Sequence, residues 1–257
     1  MAQLITETVT DVHHWNSTLF SFKTTRDAGF RFKNGHFVMV GLEHESKPLM
    51  RAYSIASSNH EDELEFFSIK VKNGALTSKL QYLKVGDEVL IGKKPTGTLI
   101  TDQMLPGKHL YLLGTGTGLA LFMSIIKDPE IYEQFDKVIL VHGVRYTSEW
   151  AYSDYIQNQL PENEYLGELI KEKLFYYPLV TRKPYKNNGR ITDVMSCGKL
   201  FLDLDMPQPS KKDDRFMLCG SPSMLIDMCK ILDDRGFSEV RSGHMGEYVI
   251  ERAFVER

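Results

Sequence analysis

Hydrophobic and polar positions follow two different rhythms along this chain. Up to about Lys94 the apolar residues come in short runs, many of them alternating with polar ones. Leu4–Val12, Thr18–Thr24, His36–Leu42, Arg51–Ser57, Glu63–Val71 and Glu88–Gly92 are rich in Val, Ile, Phe and Thr. Turn pairs such as Asn34-Gly35 and Gly86-Asp87 lie between them. Alternation sends successive side chains to opposite faces of a sheet, so these six runs predict strands. One helical stretch, Leu76–Leu83, interrupts them, and the whole predicts a six-stranded antiparallel β-barrel.

Pro95-Thr96-Gly97-Thr98 and Leu105-Pro106-Gly107 break both rhythms and mark a boundary. Beyond it, buried-type strands at Leu110–Leu113, Val138–Gly143, Leu174–Val180 and Phe216–Leu218 alternate with helical patterns. Those patterns run over Leu119–Lys127, Trp150–Gln159 and Ser221–Arg235. Such alternation implies parallel βαβ units and an open, Rossmann-like α/β sheet. The expected division is 1–98 for the barrel, 99–107 for a linker and 108–257 for the α/β domain. Tyr248–Arg257 reads as a closing strand, or else as a frayed end.

Composition then removes several functional classes. Apolar residues make up 42% and charged residues 25% of the 257, the balance of a well-packed globular protein. The formal net charge is -3 and the basic residues form no block, which argues against nucleic acid or a membrane surface as partner. No apolar run approaches the ~20 residues of a bilayer span, and the N-terminus lacks the features of a secretory signal. Cys197, Cys219 and Cys229 are too few for a disulfide framework, a zinc site or a four-cysteine iron–sulfur cluster. The expectation is a cytoplasmic protein without a metal, whose one-electron carrier, if it serves one, is a separate molecule.

The candidate chemistry sits at strand ends and turns. Arg51-Ala52-Tyr53-Ser54 offers a guanidinium for a pyrophosphate and, two residues on along the same sheet face, a ring for a flavin. A surface strand with a salt-bridged arginine reads equally well. Gly74-Ala75-Leu76-Thr77-Ser78 opens the barrel's helix, where free backbone N–H groups suit a phosphate or the hydroxyls simply start the helix. Gly114-Thr115-Gly116-Thr117-Gly118 stands between a strand and a helix, where glycines let the backbone approach a pyrophosphate. The next strand ends in His142-Gly143-Val144-Arg145, with an arginine where an NAD site has an acidic residue. With Arg145, the sequence Thr181-Arg182 and the turn residue Arg190 suit a 2′-phosphate, although solvated loop arginines are common. Cys219-Gly220-Ser221-Pro222 ends a strand and caps a helix, so that Cys219 faces the ligand crevice or is a small buried residue.

In this order, from about Thr6 to the end, these features resemble the ferredoxin–NADP reductase superfamily. The ending Ala253-Phe254-Val255-Glu256-Arg257 is similar to a bacterial subclass that finishes in Ala-Phe-Val-Glu-Lys. The resemblance implies non-covalent FAD on Arg51, Ala52, Tyr53, Ser54, Phe67, Ile69, Val71, Ala75, Leu76, Thr77 and Ser78, with Thr117, Ala253, Phe254 and Glu256 completing its site. Arg51 and Ser78 are implied to hold the pyrophosphate, Tyr53 to stack on the flavin and Phe254 on a folded-back adenine. NADP(H) is implied as co-substrate on Thr117, Arg145, Thr181, Arg182, Arg190, Cys219, Gly220, Ser221 and Met224. Tyr53, Cys219, Ala253 and Glu256 are the implied catalytic positions, acting through geometry and tuning. The implied partner is a ferredoxin or flavodoxin and the implied state a monomer. Leu121 stands where the family usually has proline; leucine can adopt the same conformation, which predicts a softer loop rather than lost function. An oxygenase reductase component, a diaphorase or a flavoprotein that does not turn over are the competing readings.

Overall fold

The computed structural model describes residues 3–45, 47–241 and 243–252. Among them the chain forms two compact units, one of 3–98 with 120–128 and the other of 99–119 with 129–252.

In the first unit, β1 (Leu4–His14), β2 (Leu19–Thr24), β3 (Phe37–Leu42), β4 (Leu49–Ser54), β5 (Leu64–Ile69) and β6 (Glu88–Gly92) form one sheet. Its six strands lie in the order β4-β3-β6-β1-β2-β5, and every pairing is antiparallel. The two edge strands approach each other past the end of β4, through the antiparallel bridge Ile55–Phe66 and the hydrogen bond from Ala56 N–H to the Glu65 carbonyl at 2.8 Å. The expected barrel is thus nearly closed, which leaves few open strand edges. Its interior holds Val9, Phe20, Phe22, Val38, Val40, Ile55, Phe66, Val89 and Ile91. Each such side chain contributes roughly 1.5–3 kcal/mol on burial. Helix α1 (Thr77–Leu80) is shorter than the pattern predicts. Tyr82 and Leu83 donate to the carbonyls three residues back, which tightens the end of the predicted helix into turns while Leu83 stays buried.

Helix α2 (Leu119–Ile126) is buried along its whole length. Residues 120–128, read from the sequence as part of the α/β domain, group with the barrel. Polar contacts secure them there: the Ser124 hydroxyl is shared between Asn34 Oδ1 (2.9 Å) and the Ser57 carbonyl (2.7 Å). Asn34 donates to Asp128 at 2.8 Å, and Lys127 lies 2.5 Å from Glu61. Leu121, in place of the family proline, is fully enclosed.

The second unit is built on a parallel sheet of β7 (His109–Thr115), β8 (Lys137–Val144), β9 (Leu174–Val180), β10 (Asp214–Gly220) and β11 (Tyr248–Arg252). Their order is β11-β10-β7-β8-β9. The chain leaves β7 toward β8 and β9, then returns to the other side of β7 as β10. The loops that follow β7 and β10 therefore diverge at a topological switch point, where open α/β sheets form their ligand crevice. Helices α3 (Pro129–Gln134), α4 (Gly167–Lys173), α5 (Ile191–Ser196), α6 (Lys199–Asp203) and α7 (Pro222–Asp234) complete the unit.

One expected helix takes another form. Within 150–159, Tyr152 adopts a left-handed φ of 62°, and the chain then makes one π-helical turn at Tyr155–Gln159. A left-handed non-glycine residue cannot propagate an α-helix, so the helical stretch starts only at 153 and runs through the wider turn into a 3-10 turn at Leu160–Glu162. Among the described residues no helix is long and apolar enough to cross a membrane.

Candidate functional site

In the barrel unit, Arg51, Ala52, Tyr53 and Ser54 lie on β4, opposite Val40, Met39, Val38 and Phe37 of β3. Arg51 is exposed and donates to the Met50 carbonyl at 2.8 Å. Tyr53 is buried. Its hydroxyl is 3.2 Å from Ser68 Oγ, and its ring meets Phe66 edge-on with centroids 6.4 Å apart. Two residues of β5 thus fix the ring that the sequence assigns to flavin stacking. Ala52 and Ser54 are half-buried on the opposite face. Along β5 and beyond, Phe67 is buried, Ile69 exposed and Val71 half-buried.

At α1 the backbone tests the phosphate reading directly. Ser78 N–H already donates to the Gly74 carbonyl (3.2 Å), so Ser78 has its hydroxyl to offer rather than its amide. Among the described residues the amides of Ala75, Leu76 and Thr77 have no acceptor. The Thr77 hydroxyl is buried and also lacks a partner. Native proteins seldom leave such donors unsatisfied, and a phosphate at this turn would satisfy them.

In the second unit, Gly116–Gly118 form a single 3-10 turn between β7 and α2. Gly116 has a φ of +56°, which favours glycine, and open space where a Cβ would stand. A Cβ at Gly118 would lie 2.5 Å from the Cys219 carbonyl oxygen and 3.2 Å from its Sγ. A Cβ at Gly220 would lie 2.2 Å from Thr115 Oγ1 and 2.8 Å from Met224 Cε. Ser221 donates its N–H to Thr115 Oγ1 (3.0 Å), and its own Oγ accepts from Met224 N–H (3.4 Å) to cap α7. The loop after β7 and the turn after β10 interlock; Thr117, in the first, is half-buried and Cys219, before the second, is buried. Burial, and then the charge of Glu251, push the Cys219 thiol up to about 12. It is a packed thiol in the crevice, not a thiolate nucleophile.

The arginines gather at the ends of β8 and β9. Thr181 N–H donates to the Val144 carbonyl and Arg182 N–H to the Arg145 carbonyl, each at 3.0 Å. Gly189 N–H reaches back to the Val180 carbonyl (3.0 Å), which brings Arg190 to the same strand ends. Arg145, Thr181, Arg182 and Arg190 are all exposed. The neighbouring carboxylates serve backbone amides: Glu149 accepts from Arg145 N–H (2.8 Å) and Asp193 from Arg190 N–H (3.1 Å). Among the described residues none of these three guanidinium groups has a carboxylate partner. Unneutralised guanidinium groups on adjacent loops suit a dianionic phosphate.

Comparison with known proteins agrees with both halves. Residues 5–100 match the family described as the oxidoreductase FAD-binding domain, and 112–230 match the oxidoreductase NAD-binding domain. The ferredoxin–NADP reductase of Pseudomonas aeruginosa is 62% identical over 100% of both chains. This chain belongs to the ferredoxin–NADP reductase family. The flavodoxin/ferredoxin–NADP reductase of Rhodobacter capsulatus is 47% identical over 97% of this chain and 93% of that relative. A ferredoxin NADP+ reductase from Neisseria gonorrhoeae, solved with bound FAD and NADP, superimposes with a TM-score of 0.90. It is 30% identical, over 99% of this chain and 100% of that one.

The reductase is therefore an FAD-dependent oxidoreductase with a separate nicotinamide-coenzyme domain. Its open amides and the orphaned Thr77 hydroxyl fit the first group, and the glycine cradle at Gly116 fits the second. Ala253, Phe254 and Glu256 lie outside the described residues. Sequence reasoning missed two residues of the reductase's crevice. Thr115 reads as loop filler, yet its hydroxyl joins the glycine loop to the Ser221 turn. His142 reads as one more strand residue, yet it is buried beside that loop.

Proposed function

We propose that this reductase passes electrons between NADP(H) and a separate ferredoxin or flavodoxin, as a cytoplasmic monomer. The observation that carries the coenzyme choice is the group of unneutralised arginines, 145, 182 and 190, at the coenzyme end of β8 and β9. FAD, when bound, supplies hydride exchange with nicotinamide and single-electron exchange with the carrier. Arg51 and the Thr77–Ser78 turn hold its pyrophosphate, and Tyr53, braced by Ser68 and Phe66, orients its ring. Thr117, Cys219 and Gly220 shape the nicotinamide pocket, while Ser221 and Met224 support it from α7. The family resemblance assigns Ala253, Phe254 and Glu256, which lie outside the described residues, to the flavin site as well. These groups set positions, since a hydride moves without a side-chain acid or base.

With NADPH the purified protein is expected to reduce both a bacterial ferredoxin and a flavodoxin, and with NADH to do so far more slowly. Reduction of ferricyanide without reduction of either carrier would make it a diaphorase instead.

Carrier turnover is expected to fall steeply with salt although the protein is slightly acidic overall. Lys72, Lys93 and Lys94 are exposed on the barrel unit, and Lys70 holds the Asn16 carbonyl at 2.6 Å. Lys93 and Lys94 lie beside the start of β1 and Lys70 and Lys72 beyond its far end, so they are two separate basic positions. Either would steer acidic carriers, and steering is screened over a Debye length of ~10 Å at 0.1 M salt. Carrier-dependent kcat/KM that stays level while salt rises would rule out electrostatic docking.

A further inference from the structure

β8 carries the aliphatic residues Val138, Ile139, Leu140 and Val141, then a histidine where the crevice begins. His142 is 1% exposed and stands opposite Gly114, at the start of the glycine loop, in the β7–β8 register. Its Nε2 lies 3.2 Å from the Gly116 carbonyl oxygen. A carbonyl only accepts, so Nε2 carries the proton and Nδ1 bears a lone pair. Nδ1 is buried and, among the described residues, has no hydrogen-bond partner. Burial pulls the imidazole down to about 4, so it stays neutral throughout the physiological range.

A leucine at this position would match the rest of the strand and leave no orphaned nitrogen. What the histidine adds is one hydrogen bond, made to the residue whose φ is +56°. The same carbonyl accepts Leu119 N–H as the 3-10 turn closes. With two donors on one oxygen, the peptide unit that follows Gly116 has little freedom to rotate. That unit carries the Thr117 N–H, at the middle of the coenzyme loop.

We propose that His142 is a positioning residue that locks the Gly114–Gly118 loop in its coenzyme-binding shape through the Gly116 carbonyl. It touches neither coenzyme nor flavin in this role; it acts through the loop. The inference rests on the reading that this loop receives the pyrophosphate and nicotinamide half of NADP(H). The arginine cluster, which reads the 2′-phosphate, lies on other loops and does not depend on it.

The test uses the FAD-loaded protein and its His142→Leu and His142→Gln variants. Glutamine keeps an N–H donor near the place of Nε2, and leucine keeps only volume. Flavin reduction by NADPH is followed in a stopped-flow instrument at saturating coenzyme, and 2′-phospho-AMP binding by calorimetry. Misplacing the loop is expected to slow flavin reduction about tenfold in His142→Leu. His142→Gln is expected to recover to within about threefold of wild type, since it restores the hydrogen bond. The affinity for 2′-phospho-AMP should be the same in all three proteins.

A folded His142→Leu that reduces its flavin at the wild-type rate overturns the proposal. So does a loss that glutamine fails to rescue, or one shared equally by 2′-phospho-AMP, because either marks a general structural role. Should His142→Leu not fold, the glutamine variant decides: wild-type-like flavin reduction supports the proposal and a large loss overturns it. A wild-type protein whose flavin NADPH does not reduce would refute the underlying coenzyme reading instead.

Discussion

Replacing Arg182 or Arg190 by alanine is expected to raise the KM for NADPH by about one order of magnitude. NADPH differs from NADH at one place, a 2′-phosphate bearing nearly two negative charges, so discrimination must be located there. A charge-assisted hydrogen bond contributes ~1.5–3 kcal/mol, and exposure brings that to the low end of the range. About 1.4 kcal/mol is tenfold. Both guanidinium groups are exposed and, among the described residues, without a carboxylate partner, so neither replacement leaves a buried charge behind. The 2′-phosphate is remote from the hydride, so kcat should change little and NADH kinetics should barely move. The double variant is expected to lose most of its discrimination by becoming worse with NADPH, not better with NADH. Steady-state kinetics with both coenzymes checks this, and unchanged NADPH KM in both single variants would place the phosphate site elsewhere. Arg145, tied through its carbonyl to Arg182 N–H, makes the third member of the series.

The largest expected effect on stability lies at the other end of the same sheet. Arg215, on β10, is 3% exposed. Its guanidinium donates to the carbonyls of Leu105 (2.7 Å), Lys211 (2.8 Å), Asp214 (2.5 Å) and Lys212 (3.3 Å), and also to Pro106. Burial draws its pKa below the usual value, and the carboxylates of Glu247, Asp214 and Asp213 draw it back up. Alanine there would leave several enclosed carbonyls without donors and open a cavity. The expected cost is on the order of 3–5 kcal/mol. That corresponds to a fall in Tm of about 10 °C or more. A melt followed by circular dichroism measures it, and a Tm within about 2 °C of wild type would show that water replaces the guanidinium at little cost.

Much of this was legible in the chain itself, because burial imposes periodicity. Glu88–Gly92 and Leu174–Val180 run as their apolar patterns predict, and Asp214–Gly220 exceeds its predicted core by two residues at each end. Sheet hydrogen bonding continues past the last apolar residue, so pattern alone trims strands. The helix expected over 150–159 starts three residues late, at 153, for a local reason, the left-handed Tyr152, which hydrophobic spacing does not record. Helices α5 and α6 escaped because each spans fewer than two full turns. Within the candidate sites, the glycines and arginines that the structure brings to strand ends stand out by residue type. Thr115 and His142 do not, since their importance lies in which atom each one meets across the sheet.

The attachment of residues 120–128 to the barrel has a consequence for taking this protein apart. A cut at the 98/99 junction looks natural, but it separates Ser124 and Lys127 from Asn34, Ser57 and Glu61. A C-terminal fragment made that way would carry a buried hydroxyl in α2 and a buried ammonium just after it, the partners of both having been left behind. Its glycine loop would lead into a helix with nothing to rest on. The coenzyme domain of this reductase is thus not a transferable cassette: a domain swap with a relative must carry barrel and helix together, or rebuild the surface between them.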